Sequence, residues 1–190
     1  MDSLAGFTIA LALAMASACA AHVNSVAREV VNALNTLIQS VSVLIWTLVL
    51  VLIFGVLSRA PPILVTAAAT YPILLSSITS GFKYMDEKLS ELARVMGASK
   101  LQELMYFIIP GSTPYIVSAS RSALGLALRI SVVAEAFGGG GGVGYQLMYY
   151  YDLGVKEGVF AWGLLMILLM IAIDYLALRP VERWFMKWRL

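Results

Sequence analysis

Ser118, Ser122, Gly125 and Arg129 recur at i, i+4, i+7 and i+11, so they share one face of a helix, small and polar inside a stretch that is otherwise apolar. Arg121 lies beside that face, and Glu135 follows Arg121 by nearly a whole number of turns. Arg and Glu near the centre of a hydrocarbon layer each cost at least about 2.5 kcal/mol on insertion scales, so such residues face a cavity or a partner. The chemistry they suggest is non-covalent: a path lined for an anion, with Arg129, the deeper cation, as the better candidate for selecting what passes. Arg121, closer to one end, equally suits a side chain that snorkels to the membrane surface. Asp174, within a turn or two of Arg179, reads as half of a structural ion pair in preference to a proton relay.

Residues for covalent or metal chemistry are scarce. Cys19 is the only cysteine and His22 the only histidine, so there is no internal disulfide, no Cys/His zinc set and no catalytic cluster. No Gly-x-x-x-x-Gly-Lys-Ser/Thr run is present to cradle nucleotide phosphates. Gly138 to Gly142 with Gly144 matches Gly-x-Gly-x-x-Gly, but a run of five glycines does so trivially, and it follows an apolar span where the dinucleotide motif follows a strand. It reads as a flexible turn.

The elements that position these residues follow from composition. The chain has 190 residues, 61% hydrophobic and only 13% charged, against roughly 25% charged in a soluble domain. That excludes a soluble globular protein and leaves an integral membrane protein. The net charge of +2 and the absence of a long basic run give nucleic-acid binding no support. Segments near 3–21, 40–57, 61–82, 112–137 and 158–178 are apolar and roughly the length of a membrane-crossing helix. Their apolar residues run on without alternating, so the fold class is all-α: a polytopic helical membrane protein with five transmembrane helices, one domain over 1–190.

Lys and Arg set the orientation. Lys83, Lys88, Arg94 and Lys100 lie between the third and fourth spans, and Arg179, Arg183, Lys187 and Arg189 follow the fifth; both regions read as cytoplasmic. Parity then places Arg28 inside, leaves Arg59 and Lys156 outside, and sends the N-terminus outward. Ala16 to Ala21 has the small residues of a signal-peptide cleavage site, but Asp2 stands where a basic region belongs and no Lys or Arg precedes Arg28. Gly6, Ala10, Ala14 and Ala18 instead form the small stripe that lets transmembrane helices approach closely. Trp162, Trp184 and Trp188 read as interface anchors.

Residues 86–110 form a cytoplasmic insert with helical order. Asp86 can cap a first helix with Leu89, Leu92 and Met96 on one face, and Gly97 suits its left-handed end. Ser99 and Gln102 form a capping box for a second helix striped by Leu101, Leu104, Met105 and Ile108, which Pro110 is expected to stop. Periodicity alone leaves two readings, a hairpin resting on the membrane surface or a rigid knob that fits a partner's groove.

Glu91, Ala93, Gly97 and Pro110 resemble the EAA loop of binding-protein-dependent ABC importer permeases, which reads Glu-Ala-Ala, three residues, Gly, nine residues, Ile, any residue, Leu, Pro. Every spacing is kept; Leu92, Phe107 and Ile109 depart, all with apolar residues. The likeness continues through Tyr71-Pro72-Ile73, Pro114-Tyr115-Ile116, Val132-Val133-Ala134-Glu135, Gly142-Val143-Gly144-Tyr145 and Val159-Phe160-Ala161 to the branch that carries taurine, alkanesulfonates and nitrate. The branch usually has a further helix upstream, and a Pro-rich entry where this chain has Ser40 to Trp46.

The resemblance implies a type I ABC importer permease, not itself an enzyme, in the cell (cytoplasmic) membrane. It implies a homodimer or pseudo-homodimer of permeases, a cytoplasmic ABC ATPase dimer and an extracytoplasmic solute-binding protein. Glu91, Ala93, Gly97, Ala98, Ser99 and Pro110 would then couple to the ATPase, which would hold the ATP-Mg while this chain binds no cofactor. Gly142 and Gly144 become gate candidates by the same likeness. An ion-coupled secondary transporter is the alternative; it needs a coupling carboxylate near mid-membrane and usually two repeated halves, and no internal repeat is visible.

Overall fold

The structure is a computed structural model and describes residues 2–56, 58–84, 91–93, 95–138 and 141–180. Every regular element among the described residues is helical. The helices are α1 (Asp2–Val23), α2 (Ser25–Ser40), α3 (Val43–Phe54), α4 (Ala60–Tyr84), α5 (Lys100–Gly138), α6 (Val143–Asp152) and α7 (Lys156–Ile173), the last continued by a π turn over Asp174–Leu178.

The small stripe of α1 does what its spacing predicts. Gly6, Ala10, Ala14 and Ala18 are all buried, and they let α1 lie close along α4. The two helices run in the same direction, because Gly6 meets Ile63 and Thr66, the Tyr71 hydroxyl donates to Ser17 Oγ at 3.1 Å, and His22 meets Phe82. Parallel neighbours require the chain between them to return across the bilayer.

That return differs from the single span expected at 40–57. The helix there, α3, has 12 residues and spans about 18 Å, short of the ~30 Å hydrocarbon core. It meets α2 at 90°; four helices are long and apolar enough to cross a membrane, and a fifth pass results where this bent pair is counted as one crossing. Asn24 caps α2 by accepting the Val26 N–H at 2.9 Å. Val26, Val30, Leu34 and Leu37 are exposed, while Val31 and Ile38 pack on the core. Arg28, Asn32, Asn35 and Gln39 occupy the opposite side of the helix wheel. A polar face of this kind cannot lie in lipid, and Val41 turns extended before Ser42 starts α3. The apolar average of the stretch hides this break.

Pro61 and Pro62 sit in the first turn of α4, where no intrahelical donor is needed, and Pro72 is buried in its interior. α5 runs antiparallel to α4: Val65 packs with Ile130 and Ala134 at one end, and Gly81 meets Tyr115 at the other. At 39 residues α5 is about 58 Å long, nearly twice the hydrocarbon thickness. The stop expected at Pro110 is therefore absent, and the second helix of the insert continues into the fourth span. A π turn over Leu104–Ile108 immediately precedes the proline, with the Ile109 N–H donating to the Leu104 carbonyl. This wider turn shifts the hydrogen-bond ladder just where proline removes a donor, and the helix continues.

Beyond a bend at Gly141 and Gly142, α6 folds onto the far end of α5, where Gly144 sits against the Val132 carbonyl. α7 then returns to the insert end with none of its α-helical residues buried, leaving its apolar surface to lipid or a partner.

Candidate coupling surface and translocation path

The insert is built around Gly97. Residues 91–93 are helical, and Gly97 adopts φ +72°, the left-handed conformation that only glycine takes without cost. The Ala98 N–H donates to the Ala93 carbonyl at 2.9 Å and the Met96 N–H to the Leu92 carbonyl at 3.0 Å, a Schellman closure of the first helix. Ser99 then starts α5 with both halves of the capping box: its N–H donates to Gln102 Oε1 at 2.9 Å, and its Oγ accepts the Gln102 N–H at 3.4 Å. Asp86, Lys88, Leu89 and Arg94 lie outside the described residues.

Helix, left-handed turn and recapped helix leave little freedom in the angle between the arms. Ala93, Leu104 and Ile108 are buried, whereas Leu92, Val95, Met96, Leu101, Met105 and Tyr106 are exposed. The stripe read from Leu101, Leu104, Met105 and Ile108 is thus divided: its second and fourth members fix the arm to the bundle, and the other two face outward. Glu91, Gly97, Ser99 and Pro110 are exposed and Ala98 half-buried, so five of the six expected coupling residues are accessible and Ala93 anchors them.

Next to the insert end, Ser76, Ser77 and Ser80 of α4 face Ser118 and Ser122 of α5 across an open concavity of about 380 Å³, with Tyr115 also lining it. Tyr115 stacks on Tyr84 at 5.8 Å between ring centroids. Serines in apolar helices commonly return their hydroxyl to a carbonyl one turn back, and Ser122 does so with Ser118 at 3.2 Å. The hydroxyls of Ser76, Ser77, Ser80 and Ser118 have no hydrogen-bond partner among the described residues. The concavity thus offers neutral donors and acceptors. Sequence reasoning found the α5 half and missed Ser76, Ser77 and Ser80, whose only signal was three serines at i, i+1 and i+4 in one span.

Gly125 and Arg129 continue the Ser118–Ser122 face toward the far end; among the described residues a Cβ at Gly125 would meet open space, and Arg129 is exposed without an ion-pair partner. Arg121 turns away from that face. Its Nη2 donates to Asp174 Oδ1 at 3.0 Å, and Arg179 Nε donates to Oδ2 at 3.2 Å, so the pair expected between Asp174 and Arg179 is present and Arg121 joins it. The Arg179 guanidinium also lies 3.8 Å over the Tyr175 ring.

Glu135 does not join Arg121 either. It accepts Ser131 Oγ at 3.2 Å and the Gly144 N–H at 3.3 Å, clasping the first turn of α6. Gly142, at φ +111°, abuts the same carboxylate. Gly144 is buried and tightly packed, so the turn read as flexible is fixed at this end. No group of three or more metal-ligating side chains occurs among the described residues.

The family described as binding-protein-dependent transport system inner membrane component matches residues 8–184. The chain is similar to the aliphatic sulfonates transport permease protein SsuC of Bacillus subtilis, 30% identical over 153 residues, which make up 80% of this chain and 55% of that protein. It is 26% identical to the taurine transport system permease protein TauC of Escherichia coli over 161 residues, 85% of this chain and 58% of that one. The chain thus spans little more than half the length of these curated relatives. A solved structure of the MetNI methionine ABC transporter in inward-facing conformations shares the fold, with a TM-score of 0.78 at 19% identity over 96% of this chain and 88% of that one.

Proposed function

The chain belongs to the family of binding-protein-dependent transport system inner membrane components, and from that premise we propose that it is the permease subunit of an ABC importer for a small anion such as a sulfonate or nitrate. It is a multi-pass membrane protein. In this reading the insert and C-terminal end lie in the cytoplasm and the N-terminus outside. Two permeases, identical or paired with a homologue, enclose the path; an extracytoplasmic binding protein delivers the solute. ATP-Mg is held and hydrolysed by a separate cytoplasmic ATPase dimer, and this chain binds no cofactor.

The observation that carries the reading is the exposed apolar surface around Gly97. Leu92, Val95, Met96, Leu101 and Met105 present a rigid unpartnered patch at the end of a helix that continues without a break into the fourth span. A force applied by ATPase closure on that knob would tilt the whole of α5 as a rigid body, together with its Ser118, Ser122, Gly125 and Arg129 face. The substrate class is supported by the sulfonate and taurine permeases among the relatives and by the serine concavity, whose hydroxyls suit an oxyanion that binds and then leaves. Against an ion-coupled carrier, Asp174 is engaged by two arginines and Glu135 by Ser131 and Gly144.

The test is co-purification of the tagged protein with the ATPase encoded beside it, followed by uptake into proteoliposomes. Wild type should retain the ATPase and take up the solute only with ATP, while Gly97→Asp should insert in the membrane but lose the ATPase. Unchanged ATP-driven transport in Gly97→Asp would overturn the role of the knob, and uptake driven by an ion gradient without ATP would overturn the importer.

A further inference from the structure

At the insert end, on the side of α4 formed by α1 and α2, a cavity of about 190 Å³ lies between three helix ends. His22 comes from the last turn of α1, Arg28 and Asn32 from successive turns of α2, and Thr79 and Lys83 from the end of α4. Three of these side chains carry, or can carry, positive charge, and no carboxylate among the described residues lines the cavity. We infer that this is a binding site for a phosphate group, of the kind borne by an anionic phospholipid headgroup or by free inorganic phosphate.

The side chains are already arranged for it. Arg28 Nε donates to the Ala21 carbonyl at 3.1 Å, in the last turn of α1. That bond fixes the guanidinium and leaves both terminal nitrogens without a protein partner among the described residues, a planar fork that matches two phosphate oxygens. Asn32 stands one turn further along the same face of α2 and adds amide donors. The His22 ring is held edge-on to Phe82, with centroids 5.9 Å apart and planes at 87°. Thr79 Oγ1 is occupied by the Leu75 and Ser76 carbonyls, so it contributes shape. Lys83 has no ion-pair partner among the described residues.

Position selects phosphate among anions. The cavity sits where three helices end beside Val26 and Val30, which α2 turns outward on its apolar side, and that is the level of the headgroups. Basic pockets between transmembrane helices at the cytoplasmic surface recognise headgroup phosphates. A phosphate held by Arg28, His22 and Lys83 together would tie α2, none of whose residues is buried, to the ends of α1 and α4. The site is separate from the serine concavity and does not depend on which solute is carried.

The experiment uses the full chain extracted in mild detergent with the subunits it retains. Titration with phosphatidylglycerol, followed by native mass spectrometry, measures lipid retention; phosphatidylcholine is the zwitterionic control, and labelled inorganic phosphate is measured by equilibrium dialysis. The variant is Arg28→Gln with Lys83→Gln, compared with Arg59→Gln with Lys156→Gln, which removes equal charge elsewhere. Half-saturation by phosphatidylglycerol should rise about tenfold or more in the first variant and stay unchanged in the second. Asn32→Ala, which keeps both charges, should weaken binding severalfold and serves if the double variant fails to fold. Retention of phosphatidylglycerol but not of inorganic phosphate assigns the site to a headgroup; retention of inorganic phosphate with the same sensitivity assigns it to the free ion. Equal phosphatidylglycerol binding in all variants, with no retained phosphate, would overturn the site.

Discussion

Glu135 and Gly144 are joined across the glycine-rich bend, the carboxylate of one accepting the backbone N–H of the other at 3.3 Å. Gly144 lies in the first turn of α6, where N–H groups have no intrahelical acceptor and a negative charge is favoured by the helix dipole. Glu135→Ala should remove about 1–3 kcal/mol from the local closure of α6 on α5. Glu135→Gln, still an acceptor but uncharged, should remove less. Hydrogen exchange over 141–152 reads this directly: faster exchange in Glu135→Ala with α1 and α4 unchanged is the expected result, and unchanged protection would disprove the clasp.

Gly144 and Gly125 make opposite predictions for the same substitution. A Cβ on Gly144 would collide with the Val132 carbonyl and the Ala136 N–H, backbone that cannot step aside. Overpacking of that kind costs roughly 1–3 kcal/mol, so Gly144→Ala should lower thermal stability and loosen α6. At Gly125 a Cβ meets nothing within 4 Å among the described residues, and alanine in a helix interior is favoured over glycine by about 1 kcal/mol. Gly125→Ala should therefore be neutral or stabilising, and any loss of uptake it causes would report on the path and not on folding. Thermal unfolding of the two proteins in detergent distinguishes them.

What the sequence revealed and what it concealed follow from how far each interaction reaches along the chain. The α1 stripe, the Gly97 turn and the Ser99–Gln102 capping box are local patterns, each complete within a few turns, and all three stand in the structure. The boundaries of α4, and of α7 within a few residues, follow from apolar length alone. The broken crossing was concealed because hydropathy averaged over 40–57 does not register a polar face that ends at Ser40. Pro110 misled because proline is read as a stop, whereas a π turn just upstream lets the helix pass through it. Arg121 reaches Asp174, 53 residues on, and Glu135 reaches Gly144, 9 residues on, each on another element and beyond any helical periodicity. The α4 half of the serine concavity became visible only when α4 and α5 were placed side by side.

Among the described residues, Arg121, Asp174 and Arg179 form an ionic cluster that ties α5 to the end of α7, a helix with no buried residue over its α-helical length. Asp174 is the acceptor that both arginines share, so Asp174→Asn, which removes both contacts, should destabilise the protein more than Arg179→Gln, after which the Arg121–Asp174 bond remains. Arg121→Gln combined with Asp174→Asn should be less harmful than the sum of the two single changes, because each single change already removes the bond between them. Thermal unfolding of the four proteins closes the cycle. Strict additivity would show that the cluster contributes nothing as a unit.

Gly97 is held by conformation and not by space, since φ is +72° and nothing among the described residues lies within 4 Å of where a Cβ would stand. The effect of substitution should therefore rank by tolerance of the left-handed region. Asn visits that region readily, whereas Ala pays about 1–2 kcal/mol for it. Gly97→Asn should keep most ATPase retention, Gly97→Ala should lose about tenfold in apparent affinity for the ATPase, and membrane insertion should be the same in both. Pull-down across a series of ATPase concentrations gives the ranking. If Asn and Ala are equally impaired, it is the added side chain on the docking face that matters, and the left-handed turn is not what presents Leu92, Met96 and Leu101 to the partner.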